Sequence, residues 1–313
     1  MSKQIRLGVI GADDRTAALR DRLRPESPFW GGAFSMTHWA PTSDWQAVVR
    51  NPEVEAVYVG GPQRGRAEVA AAALAAGKHV LCPLPVALTA DELAEVERAQ
   101  RESGAVLYCP TDLRASLAGE EALKLVAAGQ LGALHAIYLG AHSRMPAPGA
   151  QADVLASLGW EGLDYVLACA AAAPQRVYAV GGRLFGEGAG QDSLLVTIRF
   201  ADEMVATVEL AQSLPAEYPA PAPELEVELT GAVGALRVDP NKVAVAVYSP
   251  DVAAGEQRRP WQNPPVVAML EAFQTAVTSR GAFGPNAIAQ NRAVVVLMDT
   301  VRRSLASGNA EGM

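Results

Sequence analysis

Between an alanine-rich stretch and a capped one lies Gly77-Lys78-His79-Val80-Leu81-Cys82-Pro83-Leu84-Pro85, and no other segment restricts the fold as much. Val80 to Cys82 is too short for a helix and apolar enough for a buried strand. Gly77 follows the alanine run at 67–76 and stops a helix there. Thr89-x-x-Glu92 is a capping box that opens the next one. Helix, strand, rigid turn and helix make a βαβ unit, which belongs in a parallel sheet.

Upstream the alternation repeats. Residues 5–10 read as a buried strand, and Gly11-Ala12-Asp13-Asp14-Arg15-Thr16 leads into a helix ending near Leu23. A phosphate-binding turn here wants glycine at its first, third and sixth places, so that backbone N–H groups approach a diphosphate at the helix N-terminus. Only Gly11 is present, with Asp13 and Thr16 in the other two places. A carboxylate there either repels phosphate or, the reading we favour for Asp13 or Asp14, caps the helix. A strand expected over 33–39 ends without an acid to bind a ribose. A short helix over 44–50, with Ser43-x-x-Gln46 as its box, then leads to a strand over 54–59. Beyond Gly60-Gly61-Pro62, Arg64 and Arg66 are either an anion site or solvated arginines at a helix start. A helix over 90–103, stopped by Gly104, and a strand over 105–109 complete the first half.

In the second half, a helix is expected over 116–128 and a strand over 133–144, whose period of two places Tyr138, Gly140, His142 and Arg144 on one face. Arg114, just before, reads as a structural clamp. A helix starting near Ala152 carries Glu161 and Asp164 three apart, where two carboxylates either split their pKa values for acid–base work or face water. Alternating runs at 176–180, 194–200, 204–210, 225–229, 234–238 and 243–248 give a largely antiparallel sheet with one open face. A flexible turn is expected at 186–190, a loop or a rigid crossing at 215–223, and amphipathic helices at 264–278 and 287–306. The fold class is α/β. An N-terminal Rossmann-like, doubly wound parallel sheet occupies 1–113, and a C-terminal α+β domain with an open, largely antiparallel sheet occupies 114–313.

Several of these segments resemble the Gfo/Idh/MocA family of NAD(P)-dependent oxidoreductases, and the resemblance covers nearly the whole chain. They are Pro83-Leu84-Pro85, Gly60-Gly61-Pro62-Gln63, Gln130-Leu131-Gly132, the helix motif from Ser157 to Asp164, and the hairpin around Gly231-x-x-Gly234-x-Leu236. The resemblance implies NAD(P), if any cofactor, at a degenerate site of Gly11, Asp13, Gly60, Pro62 and Pro85. It implies a homodimer or higher homo-oligomer through the open sheet. It also places Leu84 where the family has the lysine that assists hydride transfer, and Glu161 where it has the histidine acid or base. Losing a positioned acid or base costs about 10²–10⁴-fold in rate. The expected function is therefore a non-catalytic homologue: a binding, regulatory or partner subunit with an impaired dinucleotide site. The alternatives are an active dehydrogenase of a sugar-like or polyol substrate, and a cofactor-free lyase or hydrolase using Glu161, Asp164 and His142.

Composition narrows the partners. A net charge of −8 and a pI near 5.1 disfavour nucleic acid and anionic membrane, which both need a basic face. Only Lys3, Lys78, Lys124 and Lys242 stand among the 26 basic residues, so few lysines remain to replace a missing catalytic one. Cys82, Cys109 and Cys169 are far apart in apolar runs, as in reduced, buried thiols, and no metal site is expected. With no signal-like N-terminus and no membrane-length run, the expected location is cytoplasmic, with a small-molecule ligand left open.

Overall fold

In a computed structural model of the 313-residue chain, the structure describes residues 4–23, 34–145, 153–185, 190–215, 217–218, 223–240, 244–249, 252–258, 265–279 and 287–313. The chain forms two compact units, Met1–Thr111 with Pro265–Val295, and Asp112–Pro264 with Val296–Met313.

The first unit alternates β1 (Ile5–Ile10), α1 (Asp14–Arg22), β2 (Phe34–Ala40), α2 (Trp45–Arg50), β3 (Ala56–Val59), α3 (Arg66–Ala75), β4 (His79–Leu81), α4 (Ala90–Ser103) and β5 (Leu107–Tyr108). Its sheet runs β2-β1-β3-β4-β5 with every pair parallel. β3 is buried at all its positions, as a strand covered on both faces must be. The capping box forms at α4, where Thr89 Oγ1 accepts the Glu92 amide at 3.2 Å, although the Glu92 carboxylate takes the amide of Leu88, one residue before Thr89. The box expected at Ser43 does not form. Residues Thr42–Asp44 make a 3₁₀ turn entered from Pro41, so Ser43 lies inside the turn and caps nothing.

The expected 114–313 domain differs from the unit observed, because the helix Pro265–Thr278 belongs with the first sheet. Its Leu270, Phe273 and Ala276 complete a core begun by Leu7, Val9, Phe34 and Leu81, with the Phe273 and Phe34 rings stacked at 5.9 Å. Apolar surface left bare beside β1 and β2 recruits the helix from far along the chain.

The second unit contains α5 (Asp112–Ala115), α6 (Leu117–Ala127), β6 (Leu134–Arg144), a π turn (Leu155–Gly159), α7 (Trp160–Cys169), β7 (Pro174–Gly182), β8 (Ser193–Phe200), β9 (Val205–Leu214), β10 (Glu224–Gly231), β11 (Ala235–Asp239), β12 (Ala244–Ser249) and β13 (Val252–Arg258). After α8, the helix Pro265–Thr278, α9 (Ala287–Ser307) runs from the first unit into the second, and β14 (Glu311–Gly312) ends the chain. The sheet order is β13-β12-β11-β10-β6-β9-β8-β7-β14, and only β6 and β9 pair in parallel. Alternation separates its faces. Leu139, Val177, Val196, Val208, Val227 and Val238 are buried on one, and Tyr178, Val180, Leu195, Val205 and Tyr248 are exposed on the other. α7 covers the buried face, since a Cβ at Gly162 would touch Leu139 and Val208. β13 and β14 were not expected: β13 lacks alternation and β14 is two residues long. The turn at 186–190 lies mostly outside the described residues, as does much of 215–223.

Candidate functional site

The C-terminal edge of the first sheet is where an α/β crevice binds its ligand. Three loops meet there, after β1, β3 and β4. Gly11 leaves β1 with φ +132, and a Cβ on it would meet Thr16 Oγ1 at 2.6 Å and the Gly60 backbone at 3.0 Å. Asp13 is the α1 N-cap. Its Oδ1 accepts the Thr16 amide at 2.7 Å and the Thr16 hydroxyl at 2.5 Å, and its Oδ2 accepts the Gly61 amide at 2.8 Å. Burial pushes the Asp13 carboxyl up, but the bonds from Thr16 and Gly61 and the Arg66 charge together hold it below its ordinary value. The carboxylate is therefore ionised at neutral pH.

Arg66 fastens the other two loops. It donates from Nε to Gly61 O at 3.1 Å, from Nη2 to the same oxygen at 2.6 Å, and from Nη1 to Pro83 O at 3.2 Å and Pro85 O at 3.5 Å. It is 9% exposed, so it is neither the solvated arginine nor the open anion site that the sequence left as alternatives. Arg64 is exposed. The Leu84–Pro85 peptide is cis. Leu84 is buried, and its amide donates to Pro110 O at 3.0 Å. Asn291 on α9 steadies the same turn, accepting the Val86 amide at 3.0 Å and donating to Ala87 O at 3.2 Å. Its only sequence signal is an amide side chain within an apolar helix.

Of the expected cofactor residues, Gly11, Asp13 and Gly60 come together, Pro62 is exposed on its turn, and Pro85 lies under Arg66. The Thr16 and Gly61 amides already hold an internal anion, the Asp13 carboxylate. β2 ends at Ala40, whose carbonyl takes the Gly11 amide at 3.0 Å, and supplies no acid for a ribose.

The expected acid–base group is dispersed in the second unit. Glu161 Oε1 accepts the Leu113 amide at 2.5 Å, and Asp164, 1% exposed, accepts Arg114 Nη1 at 3.1 Å. Both carboxylates bind α5, so Arg114 is a clamp as expected. His142 faces away from α7, on the open side. Its Nδ1 lies 3.3 Å from Ser213 Oγ and its Nε2 3.7 Å from Glu209, whose other oxygen accepts the Tyr138 hydroxyl at 2.9 Å. The sheet thus separates His142 from Glu161 and Asp164, and the arrangement expected for a cofactor-free lyase or hydrolase is absent. His142 and Tyr138 instead line a groove of about 340 Å³ with Glu224, Glu226 and Asp239.

All three cysteines are free and buried, and burial pushes Cys82 up to about 11 and Cys169 up to about 12. Among the described residues no cluster of His, Cys, Asp or Glu is arranged to hold a metal, and no helix is long and apolar enough to cross a membrane.

The chain thus combines a Rossmann-type parallel unit with a unit built on a large, mostly antiparallel sheet. Residues 9–110 match the model of the GFO/IDH/MocA oxidoreductase family with its NAD-binding Rossmann fold, and residues 120–237 match the family's C-terminal domain. The chain belongs to this family. Among relatives, a 1,5-anhydro-D-fructose reductase of Ensifer adhaerens is 37% identical over 103 residues, 31% of each chain. A levoglucosan dehydrogenase of Pseudarthrobacter phenanthrenivorans is 32% identical over 91 residues, 29% of this chain and 23% of that protein. The chain thus matches less than a third of the length of either relative. Among solved structures, an NAD binding oxidoreductase from Klebsiella pneumoniae superposes with a TM-score of 0.85 at 16% identity over 99% of both chains. A levoglucosan dehydrogenase in complex with NADH and levoglucosan gives 0.81 at 18%, again over 99% of both. At such identities the structural likeness speaks for the fold.

Proposed function

We propose that this chain is a non-catalytic member of its family, a binding, regulatory or partner subunit that does not transfer hydride between a nicotinamide and a sugar-like substrate. One observation supports the reading: of the two positions that the resemblance assigns to the family's lysine and histidine, one holds an apolar side chain and the other a carboxylate that bonds a backbone amide. Leu84 is apolar and buried, and Glu161 accepts the Leu113 amide on Oε1. Oxidising an alcohol to a carbonyl requires removal of the hydroxyl proton as hydride leaves, and an apolar Leu84 supplies no group for it.

The second reading is an active dehydrogenase of a sugar-like or polyol substrate. It is favoured by the relatives named as a 1,5-anhydro-D-fructose reductase and a levoglucosan dehydrogenase. An assay of purified protein with millimolar NAD⁺ or NADP⁺ and a panel of sugars, anhydrosugars and polyols separates the two. Nicotinamide reduction at the blank rate supports the first. Turnover of about 1 s⁻¹ or faster, an ordinary enzymatic rate, removes it.

The open face of the nine-stranded sheet supports self-association, as the resemblance implies. Tyr178, Val180 and Leu195 form an exposed apolar patch on its β7 and β8 strands.

A further inference from the structure

We propose that the carboxylate of Asp13 is a built-in substitute for a phosphate, and that this one group, rather than the missing glycines, keeps the crevice closed to dinucleotides. The inference deepens the non-catalytic reading and rests on it.

The argument begins with the donors. The Thr16 and Gly61 amides come from different loops, yet they converge on the two oxygens of one carboxylate at 2.7 and 2.8 Å. Two backbone N–H groups from separate loops, aimed at one anion beside a helix N-terminus, are what an anion site consists of. α1 is nine residues long, enough to present a partial positive charge there. Arg66 adds a full positive charge to which Asp13 responds. The site is thus electrostatically intact, and its occupant is part of the chain.

The contact is built from both sides. Gly61 has φ +79, which turns its amide toward Asp13, and a Cβ there would strike Thr42 Oγ1 at 2.6 Å. An ordinary N-cap satisfies donors on its own helix alone. Asp13 spends its second oxygen on a neighbouring loop, and Arg66 pins that loop through Gly61 O. The same contact that stabilises the crevice places a negative charge where a diphosphate would otherwise go.

The test compares wild type with Asp13→Ser and Asp13→Asn. Serine keeps an N-cap oxygen without the charge, and asparagine keeps the shape while replacing one acceptor oxygen by an amino group; circular dichroism checks the fold of each, and either folded variant suffices for the comparison. Inorganic pyrophosphate and NADH are titrated into each by calorimetry. We expect a folded variant to bind both probes at least tenfold more tightly than wild type. If the folded variants bind no better than wild type, the inference is overturned, whatever the wild-type affinity. Micromolar NADH binding by wild type would overturn the inference as well, because the crevice would then be open with Asp13 in place, while a blank rate in the turnover assay on the same protein would leave the non-catalytic reading standing.

Discussion

His79 accepts the amide of Val106 on its Nδ1 at 3.0 Å, a bond available only to an unprotonated nitrogen. Burial lowers the pKa of its imidazole below the ordinary 6.5, with Glu55 pulling weakly the other way. The unfolded chain therefore takes up this proton first. The stability contributed is complete above pH 6.5 and is lost as pH falls through the lower folded value. Thermal midpoints between pH 8 and 5 should fall more steeply for wild type than for His79→Asn, whose Oδ1 can accept the same amide without titrating. Parallel curves would contradict this. At this scale the sequence was informative where a residue acts on its own segment. Asp13 was readable as a cap because a cap is local. Arg66 was not, because the carbonyls it joins at Gly61, Pro83 and Pro85 approach it only after three loops have folded.

α7 turns a motif that resembles catalytic machinery into a fastening. The Leu113 amide lies in the first turn of α5, where no intrahelical acceptor exists, and Glu161 supplies one from another helix. Removing it in Glu161→Ala should cost roughly 1–3 kcal/mol, whereas Glu161→Gln, which keeps the accepting oxygen, should unfold near wild type. Calorimetric melting of both variants checks this, and equal losses would mean that the charge matters rather than the bond. Helical spacing had put Glu161 and Asp164 on one face, correctly, but spacing cannot say what that face meets. Alternation was the better guide in the large sheet, since it distinguishes a buried face from an exposed one without knowing the partners. It failed for β13, whose Gly255-Glu256-Gln257 has no alternation to read, and the separate capping signal at Ser43 was overridden by the 3₁₀ turn that follows β2.

For the whole molecule, the proposed self-association predicts a species of at least two copies in light scattering. Leu195→Arg, placing a charge at the centre of the apolar part of the open face, should shift it to monomer without altering circular dichroism. A monomeric wild type would dispose of the idea. The composition of each unit was only partly legible, because hydrophobic period identifies the amphipathic helix α8 but not the sheet to which it returns. That return, through Leu270 and Phe273 onto Leu7, Val9 and Phe34, has a consequence for how the protein is made. A ribosome that has delivered the whole parallel sheet by Thr111 has not yet delivered the side chains that seal it. At about 5–20 residues per second, the interval to Phe273 is on the order of ten seconds or more. Throughout that interval the nascent chain carries an uncovered apolar surface beside β1 and β2. The first unit begun is thus sealed only after nearly all of the second has been delivered, and until then its unsealed edge beside β1 and β2 is open to premature contacts.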